Sequence, residues 1–180
     1  IDGSGAGGAA ITITAADVTV DGFQITNIKT ADPKLSVGIQ VEVAGDNAII
    51  QNNNFDTITT AGTMSRNTNT ASAVYLLDGP DNTHILNNRM NNIEGQNSTK
   101  GIHIGNNGAT SPSDELLIQN NTITSVLSRG AGGYGILIST TTDSSGHKDL
   151  EIIGNTIDDI TGAWANGISL DGNTPAADVL

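Results

Sequence analysis

Cysteine is absent from this 180-residue chain, which excludes disulfides, thiol chemistry and a cysteine-ligated zinc site. Aromatic residues amount to 3%, too few for a core assembled around large rings. No apolar run approaches the ~20 residues of a membrane-crossing helix. No signal-peptide pattern is visible at the opening IDGSGAG; a targeting segment, if the protein has one, lies outside this stretch. Basic residues are scarce: 7 Lys+Arg stand against 19 Asp+Glu, for a net charge of −12. Nucleic acid and anionic membrane both need a basic patch and are excluded as partners. Charged residues of either sign reach only 14%, against roughly 25% in an ordinary soluble domain. Polarity comes instead from Asn, Thr, Ser and Gly.

What is present is a repeat. Leu116–Val126 reads LLIQNNTITSV, a short apolar strand, an Asn-Asn corner and a second short strand. The phrase returns as AIIQNNNFDTI at Ala48–Ile58, THILNNRMNNI at Thr83–Ile93 and LEIIGNTIDDI at Leu150–Ile160, with a degenerate copy VTVDGFQITNI at Val18–Ile28. The second corner residue falls at Asn53, Asn88, Asn121 and Asn155, in steps of 35, 33 and 34 residues. Upstream of each copy sits a further short strand: GIQVEV at Gly38–Val43, AVYLL at Ala73–Leu77, GIHI at Gly101–Ile104, GILI at Gly135–Ile138 and GISL at Gly167–Leu170.

Each unit therefore holds three short strands and no helical periodicity. Such a unit cannot bury its apolar face alone, but it can stack on identical units. The expected fold is all-β, a right-handed parallel β-helix of about five to six coils with open ends, forming a single segment, 1–180, of a longer chain. Apolar pairs point inward: Ile102/Ile104 in the first strand, Leu116/Ile118 in the second, Ile123/Val126 in the third, and their counterparts. The corner needs a residue tolerant of positive φ, which suits Asn and explains Gly22 and Gly154. Asn53, Asn88, Asn121 and Asn155 are read as a structural ladder of stacked amides about 4.8 Å apart, rather than as ligands. Loops are expected before the first strand at 59–72, 94–100, 127–134 and 161–166.

The phrases GIxI and LxIxNNxIxxI resemble the right-handed parallel β-helix proteins of the pectate-lyase-like group, over Ile11 to Leu170. The resemblance implies a fold that hosts lyases, hydrolases, adhesins and tailspikes, with the enzymes' substrate groove along the outer face of the first strand. On that face the outward positions include Gln40, Glu42, Tyr75 and His103, with Asp78 at a strand end. They form a candidate glycan-binding patch, a Tyr ring flanked by hydrogen-bonding groups. Glu42 and His103 lie two coils, ~10 Å, apart, too far for direct acid–base cooperation.

The resemblance assigns no catalytic residue. Lyases of the group need a basic residue at the groove, but Arg66, Arg89 and Arg129 all lie off the first strand. The hydrolases carry clustered aspartates with a Gly-His-Gly segment. Here Asp158 and Asp159 fall on the third strand, and Gly146-His147 lies in a loop. No cofactor or metal ligand is assigned. Calcium is the one ion the acidic loops at 78–81 and 143–149 could take. The expected function is a non-catalytic extracellular structural or adhesive segment of a surface or filament-forming protein, contacting glycans and self-associating through its ends. The alternative is a polysaccharide-active enzyme (lyase, hydrolase or epimerase) or its substrate-binding portion. The expected location is extracellular or the cell surface, with the periplasm as the alternative.

Overall fold

The computed structural model describes residues 1–4, 8–30, 35–60, 70–105, 112–139 and 147–170, with the backbone of 178–179. In chain order the strands are β1 (Asp2–Ser4), β2 (Ala9–Ile13), β3 (Thr19–Asp21), β4 (Gln24–Thr30), β5 (Ser36–Val41), β6 (Ile49–Gln51), β7 (Asn54–Thr60), β8 (Ala71–Leu77) and β9 (His84–Leu86). They continue as β10 (Arg89–Gly95), β11 (Thr99–Gly105), β12 (Leu117–Gln119), β13 (Thr122–Ser128), β14 (Gly132–Ile138), β15 (Glu151–Ile153), β16 (Thr156–Thr161), β17 (Trp164–Leu170) and β18 (Asp178–Val179). No helix occurs among the described residues.

Every third strand joins the same sheet. The first sheet runs β2-β5-β8-β11-β14-β17, the second β3-β6-β9-β12-β15-β18 and the third β1-β4-β7-β10-β13-β16. The pairs are parallel, as a coiled chain requires. The fold is a parallel β-solenoid, six strands to each sheet. Its core is the set of aliphatic columns expected from the repeat, with Ile102, Ile104, Ile118, Ile123, Val126, Phe55 and Ile58 among the fully buried members.

The corner between the second and third sheets divides its work between two residues. The first corner residue takes the left-handed backbone: Asn52, Asn87 and Asn120 have φ of 55°, 54° and 54°, and Gly22 and Gly154 do the same. The second supplies the ladder. Asn88 Nδ2 donates to Asn121 Oδ1 at 3.0 Å and to the carbonyl of Ile50 at 2.8 Å. Its Oδ1 accepts from Asn53 N–H at 2.9 Å and from Asn53 Nδ2 at 3.1 Å. The same four-bond pattern recurs at Asn121. In the degenerate copy Phe23 stands at the ladder position; its backbone N–H meets Asn53 Oδ1 at 2.9 Å, and the side-chain ladder ends there.

The three-residue spacing of inward residues in the third strand has a cause. A strand alternates with period two, so Ile25 and Ile28 would face opposite ways. A left-handed residue between them restores the direction: Asn27, Thr57, Asn92, Ser125 and Asp159 all have φ between 53° and 58°.

The expected loops before the first strand are corrected by the structure. The third strands run on to Gly95 and Ser128, and the first-sheet strands begin at Thr99 and Gly132, leaving only 96–98 and 129–131 as turns. Backbone pairing to the neighbouring coil, as in Thr99↔Ala71 and Lys100↔Ser72, makes strands of residues that lack apolar alternation. Residues 61–69 of the first expected loop lie outside the described set.

In the GIxI strands Gly38, Gly101 and Gly135 are close-packing positions, whereas a Cβ on edge-strand Gly167 would sit 3.9 Å from Ile157 Cγ2. A Cβ on Gly101 would lie 2.5 Å from Ile123 Cγ2 and 2.7 Å from the carbonyl oxygen of Gly135. Ala73 takes this place in the one coil whose third strand carries unbranched Met90 where its neighbours have Phe55 and Ile123. Gly101→Ala is expected to cost about 1–3 kcal/mol through overpacking, measured by urea denaturation; an unchanged midpoint would sink this account.

Thr83 interrupts an otherwise aliphatic column, in the place held by Ala48 and Leu116. Its Oγ1 is buried with no hydrogen-bond partner. Thr83→Val is expected to raise stability by about 1–2 kcal/mol, since it removes an unpaired buried hydroxyl at nearly constant volume. Asn88→Leu goes the other way, by about 4 kcal/mol, because it strands backbone and amide groups on two neighbouring coils. The two variants together separate a polar group that works from one that does not.

Candidate functional site

Register builds the outward column of the first sheet. Gln40 pairs with Tyr75, Tyr75 with His103, and His103 with Leu137. Thr12 and Ser169 extend the column at its ends. Strand spacing then stacks the Tyr75 and His103 rings, with centroids 4.6 Å apart and planes 5° apart. Gly105 leaves room for the imidazole: a Cβ there would sit 2.3 Å from His103 Nε2.

This outer face is less wet than strand alternation implies. Tyr75 is 4% exposed, and Val37, Ser72 and Leu137 are also buried. Val37, Tyr75 and Leu137 are buried outside the continuous aliphatic core. Tyr75 therefore offers no open ring face. Gln40 and Glu42 are half-buried and tied together, Gln40 Nε2 donating to Glu42 Oε1 at 3.1 Å. Asp78 has a left-handed backbone, φ 63°, and one carboxylate oxygen buried without a hydrogen bond.

Burial sets the protonation of this face. The His103 imidazole is held well below its ordinary value of 6.5, first by desolvation and then by the charge of Lys100. Lys100 is 5% exposed, with its pKa lowered by desolvation to about 8. The Tyr75 phenol is pushed up to about 12 by burial and, second, by the Asp78 carboxylate. Neutral His103 shares a 3.0 Å hydrogen bond between Nε2 and Ser139 Oγ. A His–Ser pair is the start of a nucleophilic site, but such a base needs a third group to orient it and a pKa near the working pH. Among the described residues no carboxylate bonds its other nitrogen, and burial holds its pKa well below the ordinary value. The pair can position a ligand hydroxyl better than it can activate one.

Sequence patterning singles out neither Lys100 nor Ser139, the partner of His103. Aligning TKGIHI with ASAVYL and GYGILI puts Lys100 in the slot of Ser72 and Tyr134, and that alignment is the available signal. His147 is buried and structural: Nε2 donates to the carbonyl of Ser139 at 3.1 Å while Nδ1 accepts from Ser113 N–H at 3.0 Å. Of the arginines, Arg129 pairs with Glu94 at the surface, Arg89 is exposed on the third sheet, and Arg66 lies outside the described residues. Asp158 and Asp159 are exposed on β16 of the third sheet, away from this face.

Among the described residues no three His, Asp or Glu side chains gather to hold a metal ion. Asp81 spends one oxygen on the N–H of Asp114, at 2.8 Å. Residues 143–146 of the other acidic loop are outside the described set.

No family model, curated protein or solved structure matches this chain. Fold and site together define the class as a parallel β-solenoid repeat protein with an asparagine-ladder corner.

The buried amine makes a pH prediction. Its folded pKa of about 8 lies below the unfolded value of 10.5, so between these the unfolded chain binds more protons and stability rises with pH. Below pH 8 the full penalty applies. Lys100→Met is expected to be more stable than the parent near pH 7 by on the order of 3 kcal/mol, the advantage fading toward pH 10.5. Urea melts of both proteins at the two pH values check it; a constant difference would mean that Lys100 is solvated.

Proposed function

We propose that this chain is a rigid, non-catalytic structural or adhesive segment of an extracellular or cell-surface protein, one continuous solenoid of the pectate-lyase-like, right-handed type. The observation that carries the reading is the coil-to-coil register, kept from β4 to β16 in the third sheet, with the Asn53–Asn88–Asn121–Asn155 amides bonded in series beside it. A rod locked internally in this way resists bending and presents fixed faces.

Self-association fits the same reading. The edge strand β17 leaves Trp164, Ile168 and Leu170 at 58%, 36% and 39% exposure, whereas Ile136 and Ile138, one strand back, are fully buried. An apolar parallel edge of this kind is a template for another coil. Glycan contact would fall to Gln40, Glu42 and Asp78 beside the Tyr75–His103 stack, with calcium as an optional ion. A polysaccharide-active enzyme is the second reading, favoured by the 3.0 Å His103–Ser139 hydrogen bond on that face.

The deciding experiment is sedimentation velocity over a concentration series, run beside a polysaccharide panel scored for binding and for released ends, with and without calcium. Concentration-dependent association without product release is expected. Product release that disappears in His103→Ala would overturn the structural reading in favour of the enzyme.

A further inference from the structure

A cavity of about 300 Å³ opens beside Lys100, walled by Tyr134, Trp164, Thr70, Ser98 and Asn97. Register puts Lys100 next to Tyr134, and Tyr134 next to Asn166 on the edge strand that carries Trp164. Trp164 Nε1 donates to the Tyr134 hydroxyl at 2.9 Å, fixing the two rings together. Both lie over Gly132, where a Cβ would come within 2.3 Å of the Tyr134 hydroxyl and 2.5 Å of Trp164 Nε1. Glycine at this position is what lets the aromatic wall lie down.

Lys100 is more than nine-tenths buried, yet it has no hydrogen bond or ion pair with any described residue. That is unusual in a chain with so many carboxylates to spare. A largely buried lysine is costly, and natural structures normally supply a counter-charge. Around it are hydroxyl and amide groups that can hydrogen-bond a ligand, and an indole that is 58% exposed. The volume suits one ring rather than an extended chain. With a pKa of about 8 the amine is still charged at neutral pH.

We propose that this cavity binds a small ring-bearing carboxylate, the acid group pairing with Lys100 Nζ and the ring lying against Trp164 and Tyr134. The assignment is independent of whether the solenoid is a scaffold or an enzyme. The carboxylate supplies a counter-charge that no described residue provides, and the aromatic wall selects a flat or chair-shaped body.

Trp164 is the single tryptophan of the chain, so its emission reports on this cavity alone. The test titrates the whole protein with benzoate and with glucuronate at constant ionic strength, using benzamide as the uncharged control and calorimetry as a second readout. A saturable response to either acid, at least tenfold tighter than to benzamide, is expected, and the tighter of the two acids tells an aromatic from a sugar source. Lys100→Met should weaken that binding at least tenfold while keeping a cooperative melt, since it trades a buried charge for an apolar side chain of similar size. No saturable binding of either acid, equal binding of benzamide, or an unchanged affinity in Lys100→Met would each overturn the proposal.

Discussion

The amide of Asn88 touches three coils at once. Its NH₂ reaches the carbonyl of Ile50 on one side and Asn121 Oδ1 on the other, while its own oxygen takes two N–H groups of Asn53. A buried corner would otherwise leave backbone donors and acceptors facing apolar side chains, each costing about 1–3 kcal/mol. The side chain satisfies them only if every coil places its asparagine at the same height, so the ladder enforces register along the axis. The aliphatic columns then stack like on like because the corner allows no slip.

Register, in turn, dictates where the chain must bend to the left. Each coil uses a left-handed residue before the second strand, one at the asparagine corner and one inside the third strand, as in Asn82, Asn87 and Asn92. Asn, Asp and Gly serve these places cheaply. This accounts for a composition low in charge and aromatics yet rich in Asn. The corner before the second strand adds its own exposed ladder, with Asn82 Nδ2 on Asn47 Oδ1 and Asn47 Nδ2 on Asp17 Oδ1, both at 2.8 Å.

Much of this is legible in the sequence, for a physical reason: stacked coils repeat their chemistry in place. The NN and GN corners, the GIxI strands and the inward Ile-x-x-Ile pairs could all be read directly. The early start of the first-sheet strands could not. Ala71-Ser72, Thr99-Lys100 and Gly132–Tyr134 share no pattern, and their extended state is imposed by pairing one coil away. The left-handed Thr57, Glu115 and Ser125 were equally hidden, because neither propensity nor pattern marks them; their neighbours along the ladder do. At the site, alternation placed Gln40, Tyr75 and His103 in one column correctly. It says which way a side chain points and nothing of how much water reaches it, so the burial of Tyr75 and Lys100 was out of reach.

That burial changes what the outer face is. A solvated row of Gln, Tyr and His would be a generic polar surface, with each group near its ordinary protonation state. Desolvation instead makes the residues interdependent. The Lys100 charge helps to keep His103 neutral, and Asp78 helps to keep the Tyr75 phenol protonated. His103 and Lys100 lie on one strand and cannot both be charged cheaply in a medium that screens poorly. An anion beside Lys100 would relax that conflict, so occupation of the Lys100 cavity and the proton affinity of His103 are linked through the field of one ammonium group. The repeat supplies a rigid frame, and Lys100, the one buried lysine among the described residues, gives the first sheet its electrostatic character.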